Sequence, residues 1–163
     1  MSIIAHSILC LLISWVCCLN TNPKDGRLED LAWNTSRDSA ISYLKSRGFG
    51  VVDSVRLTSG KLLDINFSEI KLTFNQNRLT GFTASVSFSD SAEAATTFEK
   101  LRSKLSSAYP TVTPTQELDH EPDAVFKEIT NWAISEAPVV DQIIILFTGR
   151  TIIYSGMTYP VKQ

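Results

Sequence analysis

Apolar positions along the chain fall into three regimes. Positions 8–19 read ILCLLISWVCCL, a nearly unbroken apolar run without alternation. Over 36–47 and 91–108 apolar residues return every three or four positions, as on one stripe of a helix. Elsewhere they alternate with hydroxyl and charged residues at period two, which predicts strands covered on one face and solvated on the other.

The first helix is predicted over 36–47, with Thr35 as its cap, Asp38 three residues on, Ala40, Ile41 and Leu44 along one face and Gly48 as a left-handed stop. Strands follow over 51–57 and 61–67, flanking a turn at Thr58, Ser59 and Gly60. The next pair is clearer. Ile70, Leu72 and Phe74 alternate up to a polar turn at 75–78. Phe82, Ala84, Val86 and Phe88 then face one way, and Thr83, Ser85 and Ser87 the other. Asp90 with Glu93 signals a second helix whose stripe is Ala94, Phe98, Leu101, Leu105 and Ala108, ended by Tyr109 and Pro110. Glu99, Lys100, Arg102 and Lys104 line its other face and read as solvated.

Positions 111–123 read as a loop. The stretch 124–135 fits two templates. Val125, Phe126, Ile129, Trp132 and Ala133 suit a helix, which the periodicity slightly favours, while Phe126, Thr130, Trp132 and Ile134 share one face of a strand. The last pair, 139–148 and 151–159, meets at Gly149 and Arg150, a two-residue hairpin turn. Because Ile143, Ile144, Ile145, Leu146 and Phe147 are apolar on both faces, that pair is central in its sheet or faces a partner. The fold class is α+β, an antiparallel sheet with helices packed on one face. Ser36 and Ser91 start matching helices, so two α-β-β-β halves from an internal duplication are one reading and accidental alternation is the other.

The 163 residues are 44% hydrophobic, enough for one domain with a sizeable core. They divide into an export segment at 1–19, a polar tether at 20–27 and one α+β domain at 28–163. A twelve-residue helix rises roughly 18 Å, short of the ~30 Å hydrocarbon core, so the opening run has the length of a signal h-region rather than of a span. Its leading residues offer only the terminal amine and His6 where a signal carries Lys or Arg, which keeps a retained anchor and an ordinary buried helix as alternatives. Cys10, Cys17 and Cys18 all lie in this segment, so the domain has no disulfide framework. Cys17 and Cys18 stand where a lipoprotein carries its acylated cysteine, although Trp15 and Val16 precede them where small residues belong. The expected location is periplasmic or outer-membrane-associated in a bacterium and secreted otherwise. The sequons at Asn34 and Asn66 matter only on a eukaryotic route.

With 15 Lys+Arg against 17 Asp+Glu, the net charge of -2 supplies no field for phosphates, and nucleic acid is not an expected partner. Glu117, Asp119, His120, Glu121 and Asp123 are the densest titratable cluster. They lack the spacing of a calcium loop and read as an acidic solvated loop, so no metal and no cofactor is expected. His120 is the one histidine of the domain and has no nucleophile elbow to serve. The S-x-x-K pairs Ser42/Lys45 and Ser68/Lys71 lack companion motifs, and no phosphate-cradling glycine loop is present. No catalytic residue is assigned.

Three stretches carry a family likeness: Trp33 followed by a capped helix ending at Gly48-Phe49, the hairpin EIKLTFNQNRLTGFTASVSF, and the helix end LRSKLSSAYP. In element order and apolar spacing the chain resembles the small exported α+β domains of bacterial envelope lipoproteins, the BamE/SmpA-like group, and the tandem fold of β-lactamase inhibitory proteins. The resemblance implies binding or scaffolding in the cell envelope and a strand around 130–135. It transfers no functional residue. The expected activity is therefore non-enzymatic binding of an envelope or secreted protein, or of glycan, through the sheet face that carries Thr83, Ser85 and Ser87, with Tyr159 the most exposed aromatic candidate. Trp33, Trp132 and Tyr154 are weighed as surface aromatics too, with the core as their stronger placement. A small hydrolase built on His120 and Glu121, and a structural component held at the membrane by its N-terminal lipid or helix, are the alternatives.

Overall fold

The computed structural model describes residues 31–53, 55–119, 126–136 and 139–160. The export segment 1–19, the tether 20–27, Cys17 and Cys18 lie outside the described residues, as do His120, Glu121 and Asp123. In chain order the elements are α1 (Arg37–Ser46), β1 (Gly50–Val51), β2 (Arg56–Leu62), β3 (Ile65–Asn75), β4 (Arg78–Ser87), α2 (Ser91–Ala108), β5 (Thr115–Leu118), β6 (Glu128–Glu136), β7 (Val139–Phe147) and β8 (Thr151–Pro160). The strands form one antiparallel sheet in the order β1-β2-β3-β4-β8-β7-β6-β5, so the domain is α+β and mostly sheet. No helix among the described residues is long and apolar enough to cross a membrane.

The helix ends follow the sequence signals with one shift. Ser36, not Thr35, is the N-cap of α1; its backbone is extended and its hydroxyl accepts from the Ser39 amide. Thr35 instead turns its hydroxyl back to donate to the Ala32 carbonyl at 2.7 Å. Gly48 ends the helix at φ +87°. Asp90 caps α2 by accepting from the Ala92 amide at 2.9 Å, and Ala94, Phe98, Leu101 and Leu105 are buried, whereas Ala108 is exposed.

Two predicted elements are corrected, and a third, open between helix and strand, is a strand. Thr58, Ser59 and Gly60 do not turn the chain; they lie inside β2, and the turn falls at Leu63 and Asp64, both at positive φ. Gly60 is there for another reason: a Cβ at this position would run into the Phe49 ring. The stretch 128–136 is strand β6 and not helix, because Thr130, Trp132 and Ile134 are 1%, 0% and 7% exposed on one face. Part of the predicted loop at 111–123 pairs as β5, antiparallel to β6 from Thr115↔Asn131 to Leu118↔Glu128. The remaining hairpins fall as expected. Gln76 and Asn77, both at positive φ, join β3 to β4, and Gly149 at φ +91° opens the turn between β7 and β8.

Cross-strand pairing arranges the core in rows. Leu57, Ile70, Ala84, Tyr154, Ile145 and Thr130 run across six strands, each paired with the next and each at most 2% exposed. The neighbouring row is Leu72, Phe82, Gly156, Ile143 and Trp132. Ala40 and Leu44 of α1 and Phe98, Leu101 and Leu105 of α2 join these rows in one buried cluster. Phe98 stacks on Phe147 at 5.2 Å, and Trp33 on Phe82 at 6.2 Å. Tyr154 meets the Phe82 ring edge-on at 4.8 Å, so both it and Trp132 belong to the interior and not to a surface.

Gly156 makes the second row possible. An added Cβ would lie 2.6 Å from Phe82 Cε1 and 3.0 Å from Ile143 Cδ1. Gly156→Ala is therefore expected to lower stability by about 1–3 kcal/mol through overpacking, read as a lower urea midpoint at unchanged m-value. Adding Phe82→Leu should return part of that loss.

Candidate interaction surface

The same registers that bury one face of the sheet set out the other. One row of the second face reads Thr58, Glu69, Ser85, Ile153, Leu146, Ile129 and Glu117 from β2 to β5. The next reads Arg56, Lys71, Thr83, Ser155, Ile144, Asn131 and Thr115. A third holds Thr73, Gly81, Met157, Gln142 and Ala133. Among the described side chains, Ile129, Ile144, Leu146, Ile153 and Met157 are half-buried on this face. They form an aliphatic patch on β6, β7 and β8, while β2, β3 and β4 present hydroxyls and charges. Single exposed apolar residues are ordinary, but five adjacent ones mark a surface that gains by being covered.

The polar half is bonded in part to itself. Ser155 donates to Thr83 Oγ1 at 3.2 Å, the Ser87 and Thr151 hydroxyls are 2.9 Å apart, and Ser68 donates to the Ser85 carbonyl at 2.9 Å. In each hydroxyl pair across the β4–β8 seam one proton is committed, and the accepting hydroxyl, Thr83 in the first, keeps its own proton to donate. Thr83, Ser85 and Ser87 are thus brought together as one strip. Tyr159, 47% exposed, stands apart from them, four residues or roughly 13 Å beyond Ser155 along β8. The three rows contain no aromatic ring among the described residues, but Tyr159 follows Met157 at period two and lies on the same face just beyond them.

A polar constellation that the sequence hid lies beside α2. The Glu128 carboxylate accepts from Arg102 Nη1 at 2.8 Å, from Gln116 Nε2 at 2.5 Å and from Thr130 Oγ1 at 3.3 Å, and Arg102 also holds Glu99. Glu99, Arg102, Gln116 and Thr130 border a recess of about 370 Å³ with Ser103, Ser106 and Pro114. Glu128 is only 13% exposed, so the bridge fastens α2 to β5 and β6 with little solvent screening. Lys104, which also read as solvated, reaches Asp64 in the β2–β3 turn at 2.7 Å and holds that carboxyl below its ordinary range. Both contacts span more than twenty residues, a separation no periodicity reveals.

Of the acidic cluster, Glu117 and Asp119 are described, and both are exposed. Among the described residues no group of three or more His, Cys, Asp or Glu is placed to hold a metal ion. A second apolar spot sits at the β1 end, where Val51, Val52 and Val55 are 37%, 54% and 36% exposed. Asp53 fixes its shape, accepting from the Val55 amide at 2.9 Å, the Arg56 amide at 2.8 Å and the Arg56 guanidinium at 2.8 Å. No family model, curated protein or solved structure matches the chain.

Those hydrogen bonds, the Val55 amide first, pull the Asp53 pKa from its ordinary 3.8 down to about 2. Because the folded value lies below the unfolded one, the stabilisation is complete above the unfolded pKa and is lost as pH falls toward about 2. In an NMR titration the Val55 and Arg56 amides should shift with a midpoint near the lower value. A midpoint at the ordinary carboxylate pKa would show the loop unclasped.

Proposed function

We propose that this chain is an exported protein of the cell envelope that works by binding another protein, without catalysis, through the second face of its sheet. In this reading the two helices pack on one face and leave the other for the partner, and the two four-stranded runs, each preceded by a helix, are related halves. The observation that carries it is the aliphatic patch of Ile129, Ile144, Leu146, Ile153 and Met157 beside a hydroxyl strip bonded in part to itself across the β4–β8 seam. Aliphatic side chains framed by polar groups suit a protein partner, since covering them releases water while the hydroxyls that keep a proton can bond to the partner. The patch is aliphatic, with Tyr159 beyond Met157 on the same face of β8, and its larger aliphatic area favours a protein over glycan. The element order and the apolar spacing of the opening run support the envelope setting and the likeness to the BamE/SmpA-like domains and the β-lactamase inhibitory proteins. Inhibition of a secreted hydrolase is a special case of the same binding role.

Three measurements test this. Mass spectrometry of the mature N-terminus should show cleavage of the opening segment, or a diacylglyceryl group on Cys17 or Cys18; an intact, unmodified N-terminus in the cytosol would overturn the location. In pulldowns from envelope extracts the folded protein should enrich a partner, and Leu146→Asp should lose it, whereas Lys100→Ala on α2 should not. Equal enrichment by both variants would remove the sheet face from the function. Replacing His120 and Glu121 by Ala should change nothing in hydrolase screens, and any activity lost with them would favour the enzymatic alternative.

A further inference from the structure

We infer that the partner this face fits is a second copy of the same chain, docked sheet to sheet about a twofold axis that crosses the strands between the two central rows. The inference rests on the face being a protein-binding surface and adds the identity of the occupant.

Complementarity carries it. The two rows hold opposite charges on one strand, Glu69 and Lys71 of β3, and two large aliphatic residues on another, Leu146 and Ile144 of β7. A twofold axis midway between the rows lays each row on the other row of the second copy. Glu69 then meets Lys71 twice, Leu146 meets Ile144 twice, and Ser85 meets Thr83. No like charges are brought opposite each other on these strands. Within one protomer Lys71 and Glu69 are 3.9 Å apart and 60% and 42% exposed, so both charges are available to a second molecule. An isologous contact requires this kind of self-match, since one patch must serve as both surfaces. Aligned packing of two sheets at ~10 Å accommodates aliphatic side chains of this size between them.

The size of the face sets the strength. Seven strands at ~4.8 Å spacing and the two facing rows roughly 7 Å apart give a footprint of about 450 Å². That lies well below the ~800 Å² that each partner buries in a standard stable interface, so the dimer is concentration-dependent rather than permanent.

Sedimentation velocity on the purified mature protein over a wide concentration range should show a monomer–dimer equilibrium. Leu146→Asp should weaken it roughly a hundredfold, with an unchanged circular dichroism spectrum. The more discriminating variants are exposed and leave folding alone. Glu69→Lys should weaken the dimer about tenfold by setting lysine against lysine, and adding Lys71→Glu should restore it. A protein monomeric at every concentration would overturn the inference, as would a dimer indifferent to Glu69→Lys or not rescued by the double change. If the monomer still captures a different envelope protein through the same face, the binding reading stands and only the identity of the partner falls. If it captures none, both fall.

Discussion

The domain depends on one seam. Among the described strands, every neighbouring pair in the sheet is also consecutive in sequence except β4 and β8, which join through seven paired positions from Gly81↔Met157 to Ser87↔Thr151. The hairpins on either side are local and set by their turns, but only this seam merges two four-stranded runs into one sheet with one core. Because side chains alternate along a strand, a slip of one residue here would send Tyr154 outward and Ile153 inward, so the Phe82, Gly156 and Ile143 packing selects the register. The close approach at Gly156 and the edge-on contact of Tyr154 on Phe82 are where that selection is enforced.

Once the seam is fixed, the second face follows without further choice. The register that hides Ile145 and Tyr154 brings Leu146 beside Ile153, and that which hides Ile143 and Ile145 brings out Ile144 between them. The aliphatic patch and the charged strip are thus products of one pairing scheme read from its other side. The Arg102–Glu128 bridge supports the far end, where the core-facing rows turn polar and α2 must be held to β5 and β6 by charge rather than by apolar area. Both ends of the sheet are short, two residues in β1 and four in β5, which limits pairing with stray strands edge to edge and leaves the face as the larger accessible surface.

Much of this was legible in the residues themselves. Period two in Phe82 to Phe88, the Gly149 turn and the Asp90 cap gave strand, hairpin and helix, because each is a local preference that the packing then reinforces. The errors have physical causes. Gly60 resembles a turn residue, yet its smallness serves the Phe49 ring, a contact eleven residues away. Leu63 is a poor candidate for positive φ, so the true turn carried no signal; partial burial against the core accompanies that conformation. Trp132 fits both a helix stripe and a strand face, and only its pairing with Ile143 decides between them. For the candidate surface, the double-sided apolar run of β7 read as a central strand pair or as one that faces a partner, and the strand order places β7 and β8 inside the sheet. The addition of Ile129 and Met157 needed the cross-strand register, and the charge pattern of Glu69 and Lys71 acquired meaning only when they fell into rows with β7.

The seam also constrains how the chain is made. β4 is complete at Ser87, but its pairing partner β8 ends roughly seventy residues later. At typical synthesis rates of about 5–20 residues per second, a nascent chain therefore carries an open hydrogen-bonding edge on β4 for several seconds. During that interval a chain released to fold early has a ready template for the wrong strand, so keeping it extended until β8 has emerged is a requirement of the topology itself.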